Sequence, residues 1–130
     1  MTWTFTIPGP PVAKQRPRTV WKDRDGRSLS KPRIYTPKRT TDAECHVAEC
    51  AWVAGVKLDP EQAYKVTLDF YLSNHRKDGD NLAKTVLDGL QGLGDGWNDC
   101  QVVNLEVNKH AVKDGSEERT VVTISARGKQ

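Results

Sequence analysis

The segment that decides the fold lies at residues 66–73 and reads Val66-Thr-Leu-Asp-Phe-Tyr-Leu-Ser73. Every second side chain is large and apolar: Val66, Leu68, Phe70 and Leu72. Because successive side chains of a strand point to opposite faces, this alternation predicts a strand with one face against a core. Residues 81–91 follow with a helical apolar stripe of Leu82, Val86, Leu87 and Leu90. We expect that helix to pack on the strand's apolar face.

Other segments carry the same two periodicities. Alternation at Trp3, Phe5 and Ile7 predicts a first strand, which prolines and a glycine end at residues 8–11. Thr41-Asp-Ala-Glu44 fits a capping box, so a helix is expected from there to Gly55. Trp52 is expected to pack beside the apolar face of that helix.

Two more strands are predicted near the C-terminus. They are marked by alternation at Val103, Leu105 and Val107, and again at Thr120, Val122 and Ile124. The Asp114-Gly115 turn between them predicts a hairpin. The expected fold is a two-layer α+β domain, with a mixed β-sheet of about four strands and two helices on one face.

The charge is distributed unevenly along the chain. Its 130 residues have the usual length of one domain, residues 1–130, and a net charge of only +3. The segment from Lys14 to Arg39, however, contains ten Lys and Arg residues and only two acidic residues, Asp23 and Asp25, so its net charge is +8. This segment belongs to a basic loop at residues 9–39 and suggests a polyanion partner. A solvated loop without a partner is the alternative reading of the charge.

The cysteines and the hydropathy pattern indicate the compartment. Cys45, Cys50 and Cys100 have no CxxC spacing, which argues against a disulfide framework or a zinc site. The sequence has no long apolar run and no signal-peptide pattern. We therefore expect a cytoplasmic protein with reduced thiols and no membrane partner.

Acidic residues gather at residues 78–101, although the chain is basic overall. If Asp78-Gly79-Asp80 is extended, both carboxylates point the same way, and Lys84 lies one helical turn beyond Asp80. Lys84 could then also pair with Asp88, one turn further on. A downstream Asp99 could complete a set of oxygen ligands, which Mg²⁺ prefers. Such a layout suits phosphodiester hydrolysis, with Lys84 as a fixed positive charge. Taken singly, the same residues are an ordinary helix cap, a helix pair and acidic turns.

The same residues carry a resemblance to a known family. The pattern Asp78-x-Asp80-Asn81-Leu-x-Lys84, then Leu87-Asp88-x-Leu90, then Asn98-Asp99-x-Gln101-Val102 resembles the RusA-type Holliday junction resolvases. The opening Pro8-Gly9-Pro10-Pro11-x-x-Lys14-x-Arg16-Pro17-Arg18 is similar to the start of that family. The similarity extends from Ile7 to the last predicted strand pair.

The resemblance implies a small homodimeric endonuclease that cuts branched DNA, above all four-way junctions, in recombination and repair. It implies dependence on Mg²⁺, with Mn²⁺ as a possible substitute, and a bacterial cell, often with a phage or prophage gene. It assigns catalytic metal binding to Asp78, Asp80 and Asp99, and a catalytic role to Lys84. The chain departs from the family at Asn98, where a second aspartate is usual, and this departure leaves metal binding open.

DNA contacts are expected from the basic side chains. Lys14, Arg16 and Arg18 alternate, so in an extended chain they share one side, and Arg76 and Lys77 extend the set. Two alternatives stay open: a junction-binding module with a decayed site, favoured by Asn98, and a metal phosphoesterase acting on other substrates. The homodimer has a further hint in Trp3, Trp21, Trp52 and Trp97, since aromatic residues are enriched at interfaces.

Overall fold

The computed structural model describes residues 2–15, 18–35, 37–74, 76–94 and 96–127, without the side chains of residues 18 and 33–35. The six strands are β1 (Thr2–Pro8), β2 (Arg18–Lys22), β3 (Ser28–Tyr35), β4 (Ala63–Leu72), β5 (Val102–Ala111) and β6 (Arg119–Arg127). The helices are α1 (Lys38–Val53) and α2 (Gly79–Gln91). Two short 3₁₀ turns, Asp99–Gln101 and Gly115–Glu117, precede β5 and β6.

The main sheet has four strands in the order β1-β6-β4-β5. It is mixed, because β4 pairs in parallel with β5 while β6 runs antiparallel to both β1 and β4. Alternate residues of β4 are buried together with apolar residues of both helices in one core. The predicted α+β class, with a mixed four-stranded sheet and two helices, is confirmed.

The predicted C-terminal hairpin is wrong. Helix α2 connects β4 to β5 as a parallel crossover, which leaves β5 at the sheet edge. The chain then passes to the other side of β4, where β6 inserts between β1 and β4. This placement buries Val122 and Ile124, whereas β5 remains largely exposed along its length. The residues of the local turn could not reveal this strand order, because burial of β6 in the centre of the sheet decides which strands it pairs with.

Helix α1 differs from its prediction at its N-terminal end and in the environment of Trp52. It begins at Lys38, with Pro37 at the N-cap and no side-chain cap, so Thr41 lies inside the helix and the capping box is wrong. Proline tolerates this position because its missing N–H would have no helical partner there. The predicted stop is confirmed, since Gly55 adopts a φ of 79° just after the helix. The Trp52 side chain, however, is 75% exposed and does not pack beside the core.

Helices α1 and α2 contact each other through the backbone at Gly89. A Cβ added there would lie 2.6 Å from the Cβ of Val47 and 2.8 Å from the carbonyl oxygen of Glu44. Gly89→Ala should therefore destabilise the protein by about 2–3 kcal/mol through overpacking, despite the better helix propensity of alanine. The measurement is the free energy of unfolding in urea. Gly79→Ala is the matched control, since a Cβ there would meet its neighbours at 3.6 Å. Equal unfolding midpoints for the two variants would contradict this account of the helix contact.

The basic loop contains a structure that the sequence only partly indicated. A short strand at residues 33–35 is expected from Arg33-Ile34-Tyr35, and β3 is longer, pairing with β2 in a separate two-stranded sheet. At its turn, the Asp23 carboxylate accepts hydrogen bonds from the backbone N–H groups of Asp25 and Arg27. Much of this hairpin is exposed, including Lys22, Arg24, Arg27 and Lys31, and the Trp21 ring is 60% exposed. We call it the basic hairpin, residues 18–35.

Candidate active site

The acidic residues at the start of α2 are arranged by helix capping. Asp78 is the N-cap, and its carboxylate accepts a hydrogen bond from the backbone N–H of Asp80 at 2.9 Å. The extended Asp78-Gly79-Asp80 geometry is wrong, because Gly79 and Asp80 are already helical; the sequence also predicts Asp80 as the N-cap, and Asp78 takes that place. Both carboxylates are exposed at the positive end of the helix dipole, which favours negative charge there. Within the described part of the chain, no hydrogen bond occupies the second oxygen of Asp78, which can therefore accept a ligand.

Lys84 shares the Asp80 face of α2. The two residues are four apart in one helix, so their side chains are neighbours, and both are exposed. The predicted pair between Lys84 and Asp88 is wrong: Asp88 Oδ2 instead lies 2.8 Å from the Lys14 ammonium. The Lys84 ammonium and the Asp80 carboxylate thus lie on the same face of α2.

Asp99 lies at the other end of the sheet. It opens the 3₁₀ turn just before β5, whose first residue Val102 pairs with Tyr64. The start of α2 lies further along β5, because a Cβ at Gly79 would be 3.6 Å from the Val107 side chain. Val107 lies five residue steps beyond Val102 along the strand, which corresponds to about 16 Å. In one chain, therefore, Asp99 is not brought to Asp78 and Asp80.

This separation decides what one chain can offer a metal. Among the described residues, which include all three predicted ligands, no three His, Cys, Asp or Glu side chains are grouped so that they could hold one ion. The donor chemistry itself fits Mg²⁺, because the ligands would be exposed carboxylate oxygens. The described part of one chain therefore does not complete a three-carboxylate site.

Asn98 has a local structural task. It is the N-cap of the Asp99–Gln101 turn, and its side-chain oxygen accepts from the N–H of Cys100 at 3.1 Å. The Gln101 side chain accepts from the Asn98 N–H and donates to the carbonyls of Asp59 and Gln62. Asparagine and aspartate both serve as N-caps, so this departure from the family pattern leaves the exposed Asp99 carboxylate in place.

Lys14, predicted to contact DNA, connects three segments of the protein. Its ammonium lies 2.6 Å from Glu44 of α1 and 2.8 Å from Asp88 of α2. Its backbone N–H donates to the carbonyl of Asn81, while the next residue's N–H donates to the Thr40 hydroxyl. The Lys14 ammonium is therefore paired with two carboxylates of the same chain. The spacing of charges along the sequence could not reveal this pairing, because both partners lie on other elements.

The charge state of Lys14 follows from these contacts. Partial burial lowers the pKa of the ammonium, but hydrogen bonds and Coulomb attraction from Asp88 and Glu44 outweigh it and raise the pKa above its ordinary value. A raised lysine pKa contributes stability that is present below the unfolded value and is lost as the pH rises through the folded value. The Lys14 ammonium is therefore charged at neutral pH.

The other predicted DNA contacts are placed less completely. Arg16 and the side chain of Arg18 lie outside what the structure describes, although the Arg18 backbone opens β2. Arg76 is exposed just before the α2 cap. The Lys77 ammonium donates to the carbonyl of Pro11, and the Lys109 ammonium donates to the carbonyl of Lys77. These bonds hold the segment before Asp78 between the N-terminal loop and β5.

The sequence reasoning missed a polar row across the sheet. Asp69 of β4 accepts from Asn108 of β5 and lies 2.8 Å from His110 Nε2. Tyr71 stacks on His110, and the Arg119 guanidinium of β6 lies 3.9 Å from the Tyr71 ring centroid. The alternation in β4 places Asp69 and Tyr71 on the outward face, but their partners depend on strand order. These cross-strand contacts stabilise the exposed strand β5 against β4.

Comparison with known proteins places this geometry in a family. The family model described as endodeoxyribonuclease RusA matches residues 8–125 of the chain. The fold and the acidic helix start therefore belong to a class of DNA-cleaving enzymes. The chain is a member of the RusA endodeoxyribonuclease family. A search of curated proteins finds no match. Among the described residues, no helix is both long enough and apolar enough to span a membrane.

Proposed function

We propose that this protein is a Mg²⁺-dependent, structure-selective endonuclease that resolves four-way DNA junctions as a homodimer. The observation that carries the proposal is the RusA family match over residues 8–125, which includes every residue of the acidic set. The exposed carboxylates of Asp78 and Asp80, with Lys84 one turn beyond, support hydrolysis of a phosphodiester at the start of α2.

The roles of the residues follow from their chemistry. Asp78, Asp80 and Asp99 would hold the metal, which when bound supplies an activated water and neutralises phosphoryl charge. The helix cap orients the Asp78 carboxylate, because its hydrogen bond to the Asp80 N–H restricts its rotation. Lys84 stabilises the negative charge that develops on the phosphoryl oxygens. Mn²⁺ also accepts carboxylate oxygen ligands, so it is expected to substitute.

A two-fold dimer would complete the carboxylate set. Among the strands that the structure describes, β5 has no partner at its outer edge; Asp99 precedes its first residue, and the start of α2 lies beside its later half. If two copies pair antiparallel along this edge, the beginning of one β5 lies beside the end of the other. Asp99 of one protomer would then approach Asp78 and Asp80 of its partner, at two equivalent sites.

The surface of β5 supports this arrangement. Val103 and Leu105 are 50% and 43% exposed, although both are large apolar side chains. An uncovered edge strand with such residues is prone to pair with another chain. A C₂ interface uses one self-complementary surface and yields two active sites, as paired incisions in a junction require.

The basic hairpin would grip the DNA backbone. A two-stranded β-ribbon fits the major groove of duplex DNA, and exposed Arg and Lys side chains neutralise phosphates. Arg24, Arg27 and Lys31 are exposed on this hairpin, whereas the Lys14 ammonium is already paired with a carboxylate. We therefore expect these three side chains, instead of Lys14, to contact the DNA phosphates.

Removing hairpin charge should weaken binding to every DNA sequence alike. For Arg27→Ala/Lys31→Ala we expect the slope of log affinity against log salt to fall by about two, since each phosphate contact contributes about 0.9. The measurement is fluorescence anisotropy over a salt series. Lys57→Ala/Lys113→Ala removes two exposed lysines elsewhere and is the matched control. A changed sequence preference with an unaltered slope would contradict a backbone-binding role.

The function itself is tested with a labelled four-way junction and a linear duplex of the same sequence, each with and without Mg²⁺. The proposal predicts nicks in the junction alone and only with the metal. Salt-sensitive binding without cleavage would favour a junction-binding module. Hydrolysis of a simple phosphate ester that persists after deletion of the basic hairpin would favour a phosphoesterase with another substrate.

A further inference from the structure

A pocket lies beside the proposed site, between the N-terminal proline segment and the two helices. Its volume is about 540 Å³, within the usual range for small-ligand sites. The floor is apolar and buried, formed by Val47, Phe70, Leu82 and Val86. The wall is the Pro8–Pro11 segment, in which Gly9 adopts a φ of 94° that other residues rarely adopt.

The mouth of the pocket is polar and mainly basic. Lys38, Arg39 and His46 are exposed around it, with Asp42 as the acid among the lining residues. Lys38 and Arg39 also form the first turn of α1, which has no acidic side chain and no side-chain cap. The helix dipole therefore adds to the positive potential at the mouth.

We propose that this pocket binds one unstacked nucleotide of the DNA substrate, with the base on the apolar floor and its phosphate at the basic mouth. This inference rests on the proposed nuclease function. Simpler ligands match only one half of the pocket. A free phosphate would not contact the apolar floor, and a neutral apolar molecule would not interact with the positive charge at the mouth. Nucleotides combine a flat, weakly polar ring with an anion.

The pocket is connected to the start of α2. Pro11 accepts a hydrogen bond from the Lys77 ammonium, directly before the Asp78 cap. Leu82 of the floor lies one turn after Asp78, and Lys14 N–H donates to Asn81. A base in the pocket would thus be held close to the first helical turn, where the scissile phosphate is proposed to lie. Enzymes that act on a base extrude it from the duplex, and the cost of unstacking is lowest where pairing is already broken, as at a branch point.

The test uses binding without Mg²⁺, so that cleavage plays no part. The probe is a bulged duplex with one unpaired 2-aminopurine, compared with the same duplex carrying an abasic site at the bulge. The wild-type protein should bind the base-containing probe about tenfold more tightly, the typical value for stacking one base. The bound 2-aminopurine should also be protected from acrylamide quenching.

Ala43→Phe adds a large side chain to a residue that lines the pocket. This variant should bind both probes equally, at the wild-type affinity for the abasic probe. Ala126→Phe places the same side chain at an exposed position on β6 and should keep the tenfold preference. If Ala43→Phe fails to fold by circular dichroism, acrylamide protection in the wild type decides the matter.

Two results would overturn the proposal. Equal wild-type affinity for both probes, with an unprotected base, would remove the nucleotide from the pocket. Loss of dimerisation in Ala43→Phe, with an intact base preference, would assign the pocket to a second copy. Failure of the proposed nuclease function would be seen separately, as an absence of Mg²⁺-dependent nicking whatever the base preference is.

Discussion

The Asp80→Asn protein is expected to bind a four-way junction with wild-type affinity and to leave it uncut. Asp80 is exposed in the first turn of α2, so the substitution removes one negative ligand without disturbing the core. Cleavage should fall by about 10³-fold, the upper end for losing one electrostatic stabiliser of a transition state. Asp78→Asn and Asp99→Asn should behave alike, because asparagine retains the cap and the turn.

The matched control is Asp114→Asn. Asp114 caps the second 3₁₀ turn as Asp78 caps α2, accepting from the N–H two residues later at 3.1 Å, but it lies outside the acidic set. Its variant should cut at the wild-type rate. Wild-type cleavage by any variant of the three carboxylates would remove that residue from the site.

Mixing two inactive variants tests whether the site is shared between protomers. In a heterodimer of Asp80→Asn and Asp99→Asn chains, a shared arrangement leaves one site with both native carboxylates. An arrangement within single chains leaves none. Random mixing of a C₂ dimer should therefore restore about a quarter of the wild-type nicking, with one strand cut per binding event. Complete inactivity of refolded mixed dimers would contradict antiparallel pairing along β5.

Lys84→Ala should have the next largest effect. If its ammonium stabilises charge on the phosphoryl oxygens, the single-turnover rate should fall by ~10²–10³-fold while junction affinity barely changes. Lys84 is exposed, and Asp88 pairs with the Lys14 ammonium instead of with Lys84, so the fold should tolerate the change. Single-turnover kinetics and anisotropy on the same preparation separate the two quantities.

Two further variants sharpen this prediction. Lys84→Arg retains the charge and should recover part of the rate. Lys57→Ala removes an exposed lysine outside α2 and should cut normally. If Lys84→Ala loses affinity while its single-turnover rate is unchanged, the residue binds phosphate in the ground state and has no part in catalysis.

The periodic segments could be predicted from the sequence because their patterns depend on neighbours along the chain. Alternation predicted β4 and one helical stripe predicted α2, and both lie where expected apart from their ends. Strand order could not be predicted in this way. The Asp114-Gly115 turn favoured a hairpin, but β6 lies between β1 and β4 with alternate residues buried, and this burial outweighs a local turn preference.

The candidate site divides in the same manner. The sequence by itself determined the spacing of Asp78, Asp80 and Lys84, which places them at the cap and on the first two turns of one helix, because that spacing is local. Only the tertiary structure decided that Lys14 pairs with Glu44 and Asp88. It also decided that Asp99 lies before the first residue of β5, at the end of that strand away from the start of α2. The physical reason is that a parallel crossover returns the chain to the opposite end of the sheet, so residues close in sequence are separated by the length of a strand.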